Sequence, residues 1–170
     1  NDLVICLLSG GGSAQMPYPV DDITLEDKQT ATRVLQRSGA EIQEINIVRK
    51  HLSKVKGGQL GKYFAPATVG SIIISDVLGN DIGSIGSGPT SPDISTFEDA
   101  YAVLEKYDLT SKVPESVKDY IKNNRGNNDL ETPKTLDNCH NYIIADIQTA
   151  LDGMVSKANS LGLKPLIITS

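Results

Sequence analysis

Near its start the chain carries Leu3-Val4-Ile5-Cys6-Leu7-Leu8-Ser9-Gly10-Gly11-Gly12-Ser13-Ala14, an apolar run that stops at hydroxyl groups and three consecutive glycines. A continuous apolar run of this length is typical of a buried strand in a parallel sheet. Consecutive glycines leave backbone N–H groups open to an anion because no Cβ stands in the way. The stretch therefore predicts a strand that leads into an anion-binding loop, whose residues are Ser9, Gly10, Gly11, Gly12 and Ser13.

The glycine loop lacks the standard signatures of phosphate-binding and nucleophile-bearing turns. No Lys-Ser or Lys-Thr pair follows the glycines as a Walker loop requires, and Gln15 occupies the third glycine position of a dinucleotide fingerprint. The segment 11–15 also lacks the last glycine of a serine-hydrolase elbow. A glycine-rich turn that binds nothing therefore remains the alternative to an anion site.

Length and composition indicate one globular domain. The 170 residues are 39% hydrophobic and 22% charged, as in ordinary globular proteins. The net charge of -5 argues against nucleic-acid binding, and no apolar run is long enough to cross a bilayer. Cys6 and Cys139 lack the spacing of a metal site. We therefore expect reduced thiols and a cytoplasmic location.

Two segments after the loop have helical patterns. The first begins at Thr24, with Asp27 three residues on as in a capping box, and ends at Gly39. The second spans 42–58, and as a single helix it places an apolar stripe beside a polar one. The apolar stripe consists of Ile45, Val48, Leu52 and Val55, and the polar stripe of Asn46, Arg49, Ser53 and Lys56.

Positive charge is concentrated in this second segment and just after it. Between Glu44 and Asp76 the chain has no acidic residue, although five basic residues lie there. Such a cluster in an acidic protein favours an anionic substrate, and the residues we assign to it are Asn46, Arg49, Lys56, Gly57 and Gly58. For the remaining lysines, Lys50, Lys54 and Lys62, we expect a solvated basic face. His51 is expected to be structural.

A second apolar strand, 69–74, ends at Ser75-Asp76. In open α/β sheets the ligand crevice lies beyond the carboxyl ends of the strands, where the glycine loop would also lie. Asp76 there can accept a proton from a hydroxyl or hold Mg²⁺, with a turn or helix cap as the alternative. A second glycine and serine loop follows at 85–93, from which we assign Ser87, Gly88 and Thr90 to binding.

The later part of the chain continues the same alternation of helices and strands. The predicted elements are helices 96–107 and 114–122, a surface excursion 123–137, a strand 141–146, a helix 147–161 and a final strand 164–169. A strand, helix and strand in succession imply parallel pairing with helices on the sheet faces. The predicted fold class is therefore α/β, a three-layer αβα arrangement with a Rossmann-like, mostly parallel sheet and helices on both faces.

Four motifs, in this order, resemble the glycerate 2-kinases of the MOFRL type. They are Leu8-Ser9-Gly10-Gly11-Gly12-Ser13-Ala14, the segment 44–58, Ser75-Asp76-Val77 and Gly86-Ser87-Gly88-Pro89-Thr90. The resemblance implies transfer of the γ-phosphoryl group of ATP to the 2-hydroxyl of D-glycerate, with Mg²⁺, to give 2-phosphoglycerate. It also implies that Asp76 orients or deprotonates that hydroxyl or organises the metal.

The resemblance further implies an enzyme of two domains with its active site between them. Residues 1–170 would form most of the N-terminal α/β domain, with a Gly-Lys-Ala segment before them and the MOFRL domain after them. Expected partners are D-glycerate and ATP, without nucleic acid or membrane, and a homodimer stays open. The alternatives are an NAD(P)H-dependent hydroxypyruvate reductase and a non-catalytic domain that binds small anions.

Overall fold

The computed structural model describes residues 2–168, and its centre is a parallel sheet of three strands. The strands are β1 (Leu3–Ser9), β2 (Thr68–Ile74) and β3 (Cys139–Ala145), in the order β1-β2-β3. Leu3 lies opposite Thr68, and Val69 opposite Cys139. The α/β class and the three strands predicted at these positions are confirmed. Parallel pairing also brings Ser9 and the end of β2 to the same edge of the sheet.

Seven α-helices connect and flank the strands in the described residues. They are α1 (Gly12–Gln15), α2 (Leu25–Arg37), α3 (Ile42–His51), α4 (Gln59–Phe64), α5 (Phe97–Lys106), α6 (Glu115–Asn123) and α7 (Ile147–Ser160), with short 3₁₀ turns at Leu78–Asn80 and Ile85–Ser87. The capping box predicted at the start of α2 is present, since Thr24 Oγ1 accepts a hydrogen bond from the Asp27 amide at 3.0 Å. Thr96 caps α5 in the same way.

The main apolar core lies among the helices rather than on the sheet. Helices α2, α3, α5 and α6 pack together through side chains that include the fully buried Leu35, Val48, Leu104 and Val117. Burial of each such side chain contributes about 1.5–3 kcal/mol relative to an exposed one. This helical cluster therefore gives α2 and α3, which carry basic residues, a rigid foundation.

The sheet buries the side chains of only one face within residues 2–168. Val69 and Ile73 of β2 are fully buried, whereas the side chains that alternate with them are exposed. The exposed apolar face, as we call it, consists of Leu3, Ile5, Leu7, Ile72, Ile74, Tyr142 and Ile144. The apolar run of β1 is therefore not buried on both faces by the described residues.

The predicted helix over 42–58 is wrong in its second half, because α3 ends at His51. Ser53 Oγ accepts hydrogen bonds from the amides of Val55 and Lys56, each at 3.3 Å, which turns the chain away from the helix. Gly57 then adopts a φ of +57°, a conformation that continues no helix. Ser53 and Lys56 therefore reach their positions from a turn.

The final strand predicted over 164–169 is also wrong where the structure describes it. Residues 164–168 form no strand and their side chains are exposed, while Thr169 lies outside the described residues. A strand forms only beside a hydrogen-bonding neighbour, and β3 pairs with β2 alone in the described part of the chain. No helix within residues 2–168 has the length and apolar character needed to cross a membrane.

Candidate functional site

The two glycine and serine loops predicted to form a crevice meet at a pair of hydroxyls. Ser13 Oγ in α1 lies 2.8 Å from Ser87 Oγ in the 3₁₀ turn. Ser87 is buried and also donates to Asn46 Oδ1 of α3 at 3.3 Å. Three segments far apart in sequence therefore converge on one polar cluster.

Two cations hold the end of the glycine loop. Arg49 Nη2 donates to Ser13 Oγ at 2.7 Å, and Lys56 Nζ donates to the same oxygen at 2.9 Å and to the Ser13 carbonyl at 2.6 Å. Lys56 is only 1% exposed, so its ammonium is held by these bonds rather than by solvent. Asn46, Arg49 and Lys56, predicted to share a face, are thus brought together around Ser13.

These cations carry charge that no carboxylate balances. Neither Arg49 nor Lys56 forms an ion pair within residues 2–168. Burial, followed by the nearby charge of Arg49, lowers the pKa of Lys56 to about 8. Burial likewise lowers the pKa of the Arg49 guanidinium. A bound anion would raise the pKa values of Lys56 and Arg49 again, because it supplies an opposite charge beside them.

The other basic residues of the segment are paired or exposed. Lys50 contacts the buried Asp93 at 3.2 Å, so it belongs to a structural ion pair rather than to a solvated face. Lys54 pairs with Asp21 at the surface, and Lys62 is exposed. His51 is buried, with hydrogen bonds to the Ile47 carbonyl and to Glu131, which confirms its structural role.

Asp76 stands at the other end of the glycine loop. It follows β2 directly, and its carboxylate lies so close to Gly10 that a Cβ added there would be 2.1 Å from Asp76 Oδ2. The side chain is exposed and forms no hydrogen bond or ion pair with the described residues. The glycine loop is therefore flanked by a free carboxylate at Gly10 and by two cations at Ser13.

The remaining predicted site residues have varied surroundings. Ser9 is exposed, a Cβ added at Gly11 would meet no described atom within 4 Å, and one added at Gly12 would meet Met16 Cε at 4.0 Å. The amides of Gly57 and Gly58 donate to the carbonyls of Ser87 and Gly88, so they join the second loop to the turn after α3. Thr90 is buried against Ser71 and Asn141 and does not join the Ser13 cluster.

One residue of the cluster went unnoticed in the sequence. Lys28 of α2 is 5% exposed, and its Nζ has no hydrogen-bond partner in the part of the chain that the structure describes. It lines a cavity of about 340 Å³ with Ser13, Arg49 and Lys56. A signal existed, because Lys28 continues the buried stripe formed by Ala31 and Leu35 at helical spacing.

A larger cavity lies elsewhere and has different walls. Its volume is about 870 Å³, and it is formed mainly by the segment 126–138. None of the predicted site residues lines it. We therefore place the candidate site at the glycine loop, where charges of both signs occur without ion-pair partners among the described residues. Within residues 2–168, no group of three or more His, Cys, Asp or Glu side chains is arranged to hold a metal ion.

Comparison with known proteins finds one matching family and several similar glycerate kinases. Residues 1–122 match the family described as "Domain of unknown function (DUF4147)". The whole chain is 46% identical to "Glycerate 2-kinase" of Pyrococcus horikoshii and 45% identical to "D-glycerate 2-kinase" of Thermotoga maritima, and covers 39% of each. It is 40% identical to human "Glycerate kinase", of which it covers 32%.

A solved structure shows the same fold. The crystal structure of glycerate kinase from Thermotoga maritima matches with a TM-score of 0.83 at 45% identity. The match covers 100% of this chain and 39% of the crystallised one. The chain therefore spans about two fifths of the length of these relatives.

Proposed function

The chain belongs to the DUF4147 family, and from its similarity to the glycerate kinases we propose that it forms part of a glycerate 2-kinase. The proposed reaction transfers the γ-phosphoryl group of ATP to the 2-hydroxyl of D-glycerate. One structural observation supports the proposal independently of the relatives' names. The glycine loop has a free carboxylate, Asp76, at one end and two cations, Arg49 and Lys56, at the other.

Phosphoryl transfer needs positioning and charge stabilisation more than covalent chemistry by the protein. In the proposed reaction the 2-hydroxyl oxygen forms a bond to the γ-phosphorus while the bond to the β-phosphate oxygen breaks, and ADP leaves. Asp76 accepts the hydroxyl proton or orients that hydroxyl, because its carboxylate is exposed and has no competing partner in residues 2–168. Arg49 and Lys56 stabilise the negative charge on the transferred group.

The loop itself supplies backbone donors. A Cβ added at Gly11 would meet no described atom within 4 Å, so a phosphate or carboxylate has room to approach the loop there. Ser9 and Ser13 offer hydroxyls at the two ends of the loop, and Ser87, with Gly88, forms the facing wall. Gly57, Gly58 and Thr90 contribute indirectly in this proposal, since their polar groups hold the loops together.

The same geometry fits a magnesium ion. Mg²⁺ is usually bound through one or two carboxylates and the substrate phosphates. Asp76 provides one carboxylate whose oxygens are unshared among the described residues, at the strand end where the phosphates would lie. Bound there, Mg²⁺ would neutralise charge on the phosphates.

We further propose that residues 1–170 are most of the N-terminal α/β domain of a two-domain enzyme. The relatives are about two and a half times as long, since the chain covers 39% of each. The exposed apolar face supports the proposal, because large uncovered apolar patches are uncommon on complete monomeric proteins. Helices from the missing length would complete the third layer of the predicted αβα fold.

A cytoplasmic location and the assembly state belong to the same proposal. Cys6 and Cys139 are both free thiols, as expected in a reducing compartment. Fractionation of cells that express the full-length protein tests the location. Analytical ultracentrifugation of that protein distinguishes a monomer from a homodimer.

The kinase proposal is tested on the full-length polypeptide that contains this chain. Purified protein receives ATP, Mg²⁺ and D-glycerate, and ³¹P NMR identifies the product. We expect 2-phosphoglycerate from the wild type, production at least ~100-fold slower from Asp76→Asn, and unchanged production from the surface control Asp152→Asn. The folded state of each variant is checked by circular dichroism.

Each other outcome has a defined meaning. A 3-phosphoglycerate product keeps the kinase and refutes the proposed position of transfer. Oxidation of NAD(P)H with hydroxypyruvate, without a phosphoester, makes the protein a reductase. Binding of D-glycerate without turnover makes it an anion-binding protein. An Asp76→Asn variant as active as the wild type removes Asp76 from the mechanism.

A further inference from the structure

A basic pocket lies behind the end of the glycine loop. Its volume is about 340 Å³, near the lower end of the range for ligand pockets. Four of its lining residues are cations and none is a carboxylate. The cations are Lys28 and Arg33 of α2, Arg49 of α3 and Lys56 of the following turn, and Ser13 lies among them. The described residues that line this pocket therefore do not neutralise its charge.

Among the residues of this basic pocket, Lys28 is the one whose burial is least explained by its contacts. Its Nζ is buried and has no hydrogen-bond partner within residues 2–168. A buried ammonium without a partner costs free energy that folding alone does not recover. Lys50 shows the contrast, since its ammonium contacts the Asp93 carboxylate at 3.2 Å. Within the described residues Lys28 therefore keeps an unsatisfied buried amine, which a bound anion would satisfy.

The basic pocket and the glycine loop share their boundary. Arg49 and Lys56 line the pocket and also donate to Ser13, the last residue of the loop. A ligand with two anionic groups can therefore place one against Ser13 and the other against Lys28. Among residues 2–168, no aromatic side chain lines the pocket to stack on a nucleotide base.

We propose that the basic pocket and Ser13 together bind a compact acid that carries both a phosphate and a carboxylate, with Lys28 contacting one of the two groups. The choice of ligand class rests on the proposed function, whose product, 2-phosphoglycerate, is such an acid. Lys28 is in this proposal a binding residue that distinguishes the phosphorylated acid from its unphosphorylated parent.

Binding of this kind has a protonation signature. Lys28 faces Lys56 and Arg49, with Arg33 on its own helix, and no carboxylate lines the pocket. Burial and the charges of Lys56 and Arg49 lower the pKa of Lys28 to about 7. Lys28 is therefore mostly neutral at pH 8, and an anion beside it raises its pKa again. The complex should take up protons from the buffer as it forms.

Isothermal titration calorimetry on the full-length protein tests the proposal. The probes are 2-phosphoglycerate, D-glycerate, inorganic phosphate and ATP, each at pH 8 in two buffers with different enthalpies of ionisation. We expect 2-phosphoglycerate to bind at least tenfold more tightly than D-glycerate or phosphate, with uptake of protons. Lys28→Met should weaken that binding at least tenfold and reduce the proton uptake.

Two controls keep the result interpretable. Lys122→Met removes an exposed lysine at the end of α6 and should change neither affinity nor proton uptake. Lys28→Met itself should fold, because it replaces a buried amine that has no partner among the described residues with an apolar side chain of similar length. Its thermal midpoint should equal or exceed that of the wild type without ligand.

The proposal is overturned if Lys28→Met binds 2-phosphoglycerate as tightly as the wild type. It is also overturned if only ATP binding depends on Lys28, because the pocket then serves the nucleotide. Failure of the kinase proposal is separate: no phosphoester would form, while Lys28-dependent binding of 2-phosphoglycerate would still support the pocket. If 2-phosphoglycerate is formed but its binding does not depend on Lys28, the kinase proposal stands and the pocket proposal fails.

Discussion

The contact between Gly10 and Asp76 gives a demanding test of the site. In Gly10→Ala the new Cβ would lie 2.1 Å from Asp76 Oδ2 and 2.2 Å from its Cγ. Ordinary contacts begin at 3.4 Å, so the carboxylate has to move by more than 1 Å. A displacement of about 1 Å at a reacting group costs on the order of 100-fold in rate, or about 2.7 kcal/mol of activation free energy.

The same substitution should leave the fold intact. Asp76 is exposed and its side chain can turn toward solvent, so the clash is relieved without moving the backbone. Gly10 does not have a positive φ, so alanine fits its backbone conformation. We expect the free energy of unfolding to change by less than ~1 kcal/mol, with the clash partly offset by the lower entropy of the unfolded chain.

The assay is a double-mutant cycle in the full-length protein. Rates of 2-phosphoglycerate formation are compared for wild type, Gly10→Ala, Asp76→Ala and the double variant, with long incubations for the slow ones. In the Asp76→Ala background the clashing atoms are gone, so Gly10→Ala should cost less than ~3-fold. A full 100-fold loss in that background would refute the reasoning, as would a Gly10→Ala enzyme of normal activity.

Four further predictions concern stability, and urea unfolding of the full-length protein measures each. Thr24→Ala removes the capping box of α2 and should cost about 1 kcal/mol; an unchanged midpoint would contradict that role. Leu104→Ala opens a cavity in the helical cluster and should cost about 2–5 kcal/mol, whereas a loss below ~1 kcal/mol would mean that the core collapses around the gap. Gly153→Ala has open space in α7 and should stabilise by up to about 1 kcal/mol; destabilisation would show a hidden contact. Because folding lowers the pKa of Lys28 from 10.5 to about 7, the unfolded chain binds more protons between those values and stability should rise with pH there. Lys28→Met should flatten that rise, and an equally steep rise in the variant would remove Lys28 as its source.

The sequence predicted the features that depend on local pattern. The apolar run of β1 and the capping residue Thr24 act over a few neighbouring positions, so the chain alone reveals them. The shared position of Arg49 and Lys56 in one basic cluster was also predicted, although the predicted helix was too long. Side chains can converge on one point from a turn as well as from a helix face.

What the sequence did not reveal depends on contacts between distant segments. The hydrogen bonds that Ser53 accepts end α3, and helical periodicity carries no sign of them. The predicted strand after α7 has no sheet neighbour in residues 2–168, and apolar character alone does not provide one. Lys28 was missed because lysines are usually exposed, so its position on the buried stripe of α2 received no weight.

The register of the sheet also bears on how the chain folds during synthesis. In β1, Leu3 pairs with Thr68, which lies 65 positions later in the sequence. In β2, Val69 pairs with Cys139, which lies 70 positions later. At about 5–20 residues per second, each strand spends seconds outside the ribosome before its neighbour emerges. The helices that build the core all precede Asn124, so they can pack before β3 exists. Until its neighbour emerges, each strand therefore leaves the backbone N–H and C=O groups of one edge unpaired.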